Sequence, residues 1–157
     1  MPILFMKSKE ICKLEESFKS NFNKVLLTST EGVNYSYAQV WLNALTLSNN
    51  WSEKGLKCGD RIIFLRSNGL SLLVSYLACA IGGFVAIPIN PYSNKKLQKK
   101  YIDLYKPSLI FTEISDLVQT NVKRKNLEIE IKFSGEEDFL VINTSGTTGR
   151  PKGICHS

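Results

Sequence analysis

Three apolar residues near the start of the chain recur at i, i+3 and i+7, the spacing of one helix face. They are Ile11, Leu14 and Phe18. This spacing predicts a short amphipathic helix within residues 8–22. Two β-rich runs follow, Val25–Thr28 and Val33–Tyr35, and Glu31–Gly32 between them provides a turn. We therefore expect a helix followed by a two-stranded hairpin.

A capping box marks the start of the next helix. Ser36 stands where an N-cap hydroxyl is favoured, and Gln39 follows three residues later. Apolar residues then recur at helical spacing, namely Val40, Trp41, Ala44, Leu45 and Trp51. Gly55 follows the last of them, as a glycine at the C′ position of a helix does. The pattern predicts a helix between Ser36 and Gly55.

A long apolar stretch follows a short buried strand predicted at residues 62–65. The glycine pair Gly82–Gly83 divides this stretch into a helix-like part, residues 72–81, and a β-rich part, residues 84–88. Strand, helix and strand at this spacing form a βαβ unit, whose parallel strands are buried on both faces. The sequence therefore predicts an α/β fold with a largely parallel sheet and flanking helices.

The same stretch allows a second interpretation, a single membrane-spanning helix through Leu70–Ile89. A run of about 18 apolar residues can cross a bilayer, and no charged residue lies between Arg66 and Lys95. Several lysines follow the run, as they do on a cytoplasmic side. The glycine pair inside the run and the proline that ends it favour the βαβ unit, so we expect no membrane span.

The second half of the chain is predicted to continue the alternation of helices and strands. A helix is expected with Ser93 as its N-cap and with lysines on its solvated face. Its apolar stripe is formed by Leu97, Tyr101, Leu104 and Tyr105. Further elements are predicted as a strand at 108–112, a short helix at 114–119, an alternating strand at 127–133 and a strand at 139–142.

The last predicted strand leads into ten residues with the composition of a phosphate-binding loop. They are Thr144, Ser145, Gly146, Thr147, Thr148, Gly149, Arg150, Pro151, Lys152 and Gly153. Glycines allow backbone N–H groups to approach a ligand closely, and successive N–H groups form an anion-binding concavity. Hydroxyls donate hydrogen bonds to phosphate oxygens, and Lys152 adds a compact positive charge.

The loop is not the P-loop of common nucleotide triphosphatases. That loop requires G-x-x-x-x-G-K-[ST] leading into a helix. Here Pro151 directly precedes Lys152, and a proline pushes the residue before it away from helical geometry. A flexible linker rich in glycine, serine and threonine is the alternative interpretation of these ten residues.

Composition agrees with a globular domain that handles an anionic ligand. The 157 residues are 43% hydrophobic and 22% charged, with a net charge of +6. This charge suits nucleotide substrates, and we find no nucleic-acid-binding motif. The four cysteines form no C-x-x-C pair and His156 is the single histidine, so no metal site is predicted. The apolar start is too short for a secretory signal, so we expect a reducing, cytoplasmic location.

The residues from Thr144 to Gly153 resemble, position for position, the signature T-S-G-T-T-G-x-P-K-G of the adenylate-forming (AMP-binding) superfamily, which includes acyl-CoA synthetases and peptide-synthetase adenylation domains. Weaker resemblances occur in the same order as in that superfamily. They are Tyr35–Val40 to T-Y-x-E-L, Gly55–Ile62 to G-x-x-x-G-D-R-V, and Ala80–Pro91 to A-x-x-G-A-x-x-x-P-L-N-P. The resemblance covers most of the chain from Leu26 onward.

The resemblance implies the N-terminal part of an AMP-binding domain over residues 1–157, incomplete at its C-terminus. It implies that ATP with Mg²⁺ and a carboxylic acid form an acyl-adenylate and pyrophosphate. The acyl group would then pass to a thiol, that of coenzyme A or of a carrier protein's phosphopantetheine. Thr144, Ser145, Thr147 and Thr148 would donate hydroxyls to the β- and γ-phosphates, Gly146 and Gly149 would allow close approach, and Lys152 would balance charge.

The family's catalytic lysine, ribose-binding aspartate and adenine-binding loop match nothing before Ser157, so no catalytic residue is assigned. Asn143 stands where many members have an aromatic residue or glutamine. Three hypotheses stay open. The chain is the N-terminal part of a ligase, a natural truncation that binds nucleotides without catalysis, or a single-pass membrane protein. We expect the first.

Overall fold

Helices and strands alternate along the chain in a computed structural model, which describes residues 9–65, 69–112, 130–144 and 152–156. The elements within these residues are α1 Lys9–Ser20, β1 Val25–Thr28, β2 Asn34–Ser36, α2 Tyr37–Glu53, β3 Arg61–Leu65, α3 Leu70–Gly82, β4 Val85–Ile89, α4 Lys95–Tyr105, β5 Leu109–Phe111, β6 Leu140–Thr144 and β7 Lys152–His156.

The N-terminal elements confirm the predicted helix, hairpin and capping box. Strands β1 and β2 pair antiparallel. At the start of α2, the Gln39 backbone N–H donates to Ser36 Oγ at 3.2 Å, and the Ser36 N–H donates to Gln39 Oε1 at 2.8 Å. Two backbone donors that the helix leaves unpaired are thereby satisfied. Gly55, with φ +94°, follows the helix end as predicted.

A five-stranded sheet in the order β5-β3-β4-β6-β7 forms the centre of the fold. Strands β5, β3, β4 and β6 run parallel, and β3–α3–β4 is the predicted βαβ unit, with Arg61 opposite Val85 and Leu65 opposite Ile89. Strand β7 was not predicted, and it pairs antiparallel with β6. The α/β fold with a largely parallel sheet is thus confirmed.

Alternate residues of the central strands face two different hydrophobic clusters, as a sheet covered on both faces requires. Ile62, Phe64 and Ala86 pack with α1, α2 and α3 in the larger cluster. Residues of opposite parity pack under α4 in the smaller cluster, which comprises Ile63, Val85, Ile87, Ile89, Val141, Tyr101 and Tyr105. Helix α4 therefore covers one face of the sheet alone among the described helices.

The apolar stretch Leu70–Ile89 is divided between a helix and a strand, which contradicts the membrane-spanning interpretation. Helix α3 has 13 residues and ends at Gly83, whose φ of +70° is the left-handed conformation of a helix C-cap. Strand β4 then inserts into the sheet. Within the part of the chain that the structure describes, no helix combines the length and the apolar character needed to cross a bilayer.

Helix α4 begins one residue later than predicted and buries a different stripe. Its N-cap is Asn94, whose side chain accepts the Leu97 N–H at 2.8 Å, while the predicted cap Ser93 donates its hydroxyl to Asn90 O instead. Leu104 is 52% exposed, contrary to prediction. Buried Gln98 takes a place on the inner face, because its amide donates to two loop carbonyls at 3.0 and 2.9 Å.

The predicted strand at 127–133 is wrong for its described part, residues 130–133, which form no strand. The predicted inward face is correct, since Ile131 and Phe133 are buried. Their backbone N–H groups donate to Glu15 Oε1 and to Ala80 O, so helices α1 and α3 supply the partners that a neighbouring strand would otherwise supply. The predicted helix at 114–119 lies outside the described residues.

Candidate functional site

The β6–β7 hairpin carries both ends of the predicted phosphate-binding loop. Its register pairs Leu140 with His156 and continues to Thr144 opposite Lys152. These two predicted site residues therefore face each other as the last described pair of the hairpin. The predicted residues between them, Ser145, Gly146, Thr147, Thr148 and Gly149, lie outside the described residues.

The hairpin end lies at the carboxyl edge of the parallel strands. Because β6 runs parallel to β4, Thr144 ends its strand at the same edge of the sheet as Ile89. In open α/β sheets, ligands bind in the crevice outside this edge. The fold therefore places the start of the ten-residue motif where an anionic ligand can be bound.

The loop after β4 reaches the same edge and is held by its own hydrogen bonds. Asn90 Oδ1 accepts the Tyr92 N–H at 2.9 Å, and Asn90 O accepts the Ser93 hydroxyl at 2.7 Å. The Gln98 side chain, on α4, donates to the carbonyls of Pro91 and Ser93. These hydrogen bonds order the loop at the carboxyl edge of the sheet, and the Tyr92 side chain on it is 86% exposed.

One polar contact near the loop was not predicted from the sequence. The Tyr105 hydroxyl donates to Asn143 Oδ1 at 2.5 Å, and Asn143 Nδ2 donates to Pro88 O at 3.4 Å. A buried tyrosine hydroxyl needs a partner, so the predicted burial of Tyr105 was a signal that such a contact exists. It could not identify the partner, which lies 38 residues away.

The opposite, amino edge of the sheet contains a small cavity of about 40 Å³, lined in part by Cys58, Gly83 and Phe133. A water molecule's share of liquid volume is about 30 Å³, so the cavity is far too small for a nucleotide.

Asp60, at the same amino edge of the sheet, has a pKa held below its usual range by hydrogen bonds. The Lys57 N–H donates to its carboxylate at 2.6 Å and the Ser108 hydroxyl donates at 2.8 Å. These bonds tie the turn before β3 to the start of β5. Among the described residues, no three His, Cys, Asp or Glu side chains gather to hold a metal ion.

The model of the AMP-binding enzyme family matches residues 14–157. The chain therefore belongs to the AMP-binding enzyme family, as the ten-residue motif and the α/β sheet indicated. This confirms the resemblance described above and makes the chain a member of a family of ligases.

Two relatives illustrate the range of this family. The medium-chain fatty-acid–CoA ligase of Escherichia coli is 25% identical over 84% of this chain and 30% of its own length. The D-alanine–D-alanyl carrier protein ligase of Streptococcus pneumoniae is 24% identical over 78% of this chain and 27% of its own length. The chain thus spans less than a third of either ligase.

The fold agrees with solved structures of the family. The o-succinylbenzoate CoA synthetase of Bacillus subtilis, solved with its acyl-adenylate intermediate, superposes with a TM-score of 0.72 and 17% identity. The match covers 89% of this chain and 40% of that structure. The fold of an N-terminal subdomain of an adenylate-forming enzyme is thereby confirmed.

Proposed function

We propose that the protein carrying this chain activates a carboxylic acid with ATP and transfers the acyl group to a thiol. In the first step a carboxylate oxygen attacks the α-phosphorus, and pyrophosphate leaves. In the second step a thiolate attacks the acyl carbon, and AMP leaves. The acceptor in this proposal is the thiol of coenzyme A or of a carrier protein's phosphopantetheine. The relatives' names include a CoA ligase and a carrier protein ligase, which supports these two kinds of acceptor.

The observation that carries the proposal is the position of the ten-residue motif on the β6–β7 hairpin. Thr144 and Lys152 end paired strands at the carboxyl edge of the sheet. Between them the sequence supplies hydroxyls and glycines in the order typical of the family. Donors and a cation fixed in advance around a departing phosphate group stabilise the charge that develops there.

In this proposal the loop holds the β- and γ-phosphates of ATP. Thr144, Ser145, Thr147 and Thr148 donate hydroxyls, and Lys152 balances the phosphate charge. Gly146 and Gly149 let the backbone approach the phosphates. The donor set fits a polyphosphate because it consists of hydroxyls, backbone N–H groups and one cation. Mg²⁺, which accompanies ATP, neutralises further phosphate charge when bound.

We propose that residues 1–157 form the N-terminal part of an AMP-binding domain. This is supported by the 27–30% of each relative's length that the chain covers. The intact mass of the native protein tests this assignment, and a mass of 17.7 kDa would contradict it.

We propose that the protein functions in the reducing cytoplasm, and the exposed thiols of Cys12 and Cys58 are consistent with that location.

The test is exchange of labelled pyrophosphate into ATP by the full-length protein, with a panel of aliphatic, aromatic and amino acids. We expect exchange that depends on one class of acid. Lys152→Met should raise the KM for ATP by about 10- to 100-fold, the effect of losing one charged hydrogen bond. The matched control is Lys99→Met, on the exposed face of α4, which should leave the KM unchanged.

Three outcomes would contradict the proposal in different ways. Pyrophosphate exchange that Lys152→Met does not change would support the ligase activity and contradict the proposed role of Lys152 in phosphate binding. ATP binding without exchange for any acid would indicate a nucleotide-binding module without catalysis. Absence of both ATP binding and exchange would refute the assignment of the loop.

A further inference from the structure

A chain of two hydrogen bonds fixes the residue just before the phosphate-binding loop. Tyr105 Oη donates to Asn143 Oδ1 at 2.5 Å, and Asn143 Nδ2 donates to the Pro88 carbonyl at 3.4 Å. The amide of Asn143 thereby uses its acceptor toward α4 and its donor toward β4. Asn143 directly precedes Thr144, the first residue of the loop motif.

These bonds join the end of β6 to β4 and α4 beyond the backbone ladder pair that links β4 with β6, and Val141 packs with the β4 side chains in the smaller hydrophobic cluster. The described ladder pair between β4 and β6 is Ala86 with Leu140, three residues before Asn143. On its other side, β6 pairs with β7 as far as Thr144. The end of β6 is therefore joined to β7 by backbone bonds, and to β4 and α4 by the Asn143 side chain.

The Tyr105 ring is itself held firmly. It is 9% exposed within the smaller hydrophobic cluster and stacks on Tyr101, with ring centroids 6.3 Å apart and planes 10° apart. The Arg61 guanidinium donates to the Tyr105 carbonyl at 3.2 Å, which fixes the backbone of the same residue. A hydroxyl on a ring held in this way has few alternative positions, so it can define the position of its acceptor.

We propose that Tyr105 is a positioning residue for the phosphate-binding loop, acting through Asn143 on the strand end from which the loop departs. The expected effect of Tyr105 on ATP binding rests on the proposed function. Its expected effect on the position of the β6 end does not.

The test compares Tyr105→Phe with Tyr101→Phe in the full-length protein. Both variants remove one hydroxyl from the same buried face of α4, but only Tyr105→Phe removes the donor to Asn143. Hydrogen exchange of the backbone amides of residues 141–144 is the readout that needs no ATP. We expect about tenfold faster exchange in Tyr105→Phe and none of this change in Tyr101→Phe.

Pyrophosphate exchange supplies the second readout. Tyr105→Phe should raise the KM for ATP about tenfold, the effect of one lost hydrogen bond. The KM for the carboxylic acid should change less than about twofold, because the proposed effect of Tyr105 is on the loop that holds the ATP phosphates. A smaller fraction of folded protein would alter neither KM, so a change in the KM for ATP alone separates positioning from loss of folded protein. Tyr105→Phe combined with Asn143→Ala should be no worse than Asn143→Ala alone, because the two residues act through one contact.

The outcomes separate this inference from the proposed function. Unchanged hydrogen exchange at 141–144 in Tyr105→Phe would overturn the positioning role, whatever the enzyme's activity. Faster exchange with an unchanged KM for ATP would also overturn it, because the strand end would then not govern the loop. Faster exchange in a protein that lacks all pyrophosphate exchange would support the positioning of the β6 end and refute the ligase proposal.

Discussion

Gly82 offers the sharpest test of the packing described above, because backbone entropy and packing predict opposite effects there. Gly82 is the last residue of α3 and is buried. Where the backbone conformation suits both residues, replacing glycine by alanine stabilises a protein by about 0.4–1 kcal/mol. By backbone entropy alone, Gly82→Ala should therefore stabilise the protein.

The Phe84 ring reverses this expectation. A Cβ at Gly82 would lie 2.1, 2.6 and 2.7 Å from three carbons of that ring, whereas carbon atoms in contact prefer about 3.5–4.0 Å. The ring cannot easily move away, because it is 2% exposed and lies edge-on to Trp51 with centroids 5.9 Å apart. Overpacking of this kind costs about 1–3 kcal/mol. Taking the upper end for an enclosed ring and subtracting the entropic gain leaves about 2 kcal/mol of net destabilisation.

Urea unfolding of Gly82→Ala, Phe84→Leu and the double variant measures this effect. We expect Gly82→Ala to lower the free energy of unfolding by about 2 kcal/mol with an unchanged slope m. In the Phe84→Leu background the same substitution should cost clearly less, because two of the three ring carbons that the new Cβ meets, Cε2 and Cζ, are gone. Gly55→Ala is the matched control, with φ +94° and nothing within 4 Å of its Cβ. It should cost about 1–2 kcal/mol in either background.

Two results would refute this reasoning. If Gly82→Ala is neutral or stabilising, the Phe84 ring is free to move and the packing around Trp51 is looser than described. If Gly82→Ala costs the same in both backgrounds, the penalty has a source other than the ring.

Three further predictions concern the N-cap of α2, the carboxylate before β3 and a buried cysteine of α3. Ser36→Ala should destabilise the protein by about 1 kcal/mol, because the N-cap acceptor is lost, while Ser52→Ala at the exposed end of the same helix should cost nearly nothing; thermal unfolding compares them. The lowered pKa of Asp60 means that its ionised form is stabilised by folding. That contribution is present above about pH 4 and is lost as the pH falls through the folded-state pKa, so Asp60→Asn should flatten the acid side of a stability–pH curve. Burial raises the pKa of the Cys79 thiol well above its usual range. Iodoacetamide followed by peptide mass spectrometry should thus label exposed Cys58 in the folded protein and Cys79 only after unfolding, and early labelling of Cys79 would contradict its burial.

The elements that the sequence predicted well are those whose signals are local. The capping box of Ser36 and Gln39 lies within four residues, and both of its hydrogen bonds form as expected. The βαβ unit followed from two apolar runs and the glycine pair between them. In each case the physical cause and its signal occupy the same short segment, so no knowledge of distant contacts was needed.

The predictions were wrong where two neighbouring residues could each serve as the N-cap of a helix, or where a side chain's hydrogen-bond partner lay outside its own element. Ser93 and Asn94 are both good N-caps, and the hydroxyl's bond to Asn90 O decided between them. Gln98 is buried in place of Leu104 because loop carbonyls satisfy its amide, which the apolar pattern cannot reveal.

The candidate site shows the same limit. The ten-residue motif was evident from its composition, and Thr144 and Lys152 are now known to face each other. The antiparallel strand β7 was missed because a lysine, a glycine and a histidine among its five residues interrupt any apolar alternation. The contact of Tyr105 with Asn143 spans 38 residues, and no local pattern specifies a partner at that distance.

The order of strands in the sheet also determines what happens while the ribosome is still extending the chain. Strand β4 meets β3 across a separation of 24 residues, but its other neighbour, β6, follows 54 residues later. At about 5–20 residues per second of synthesis, the second edge of β4 waits roughly 3 to 11 seconds for its partner. During that interval an apolar strand offers open backbone groups to any other strand nearby. The speed of translation between β4 and β6 therefore sets how long the nascent chain is exposed to pairing with a neighbour.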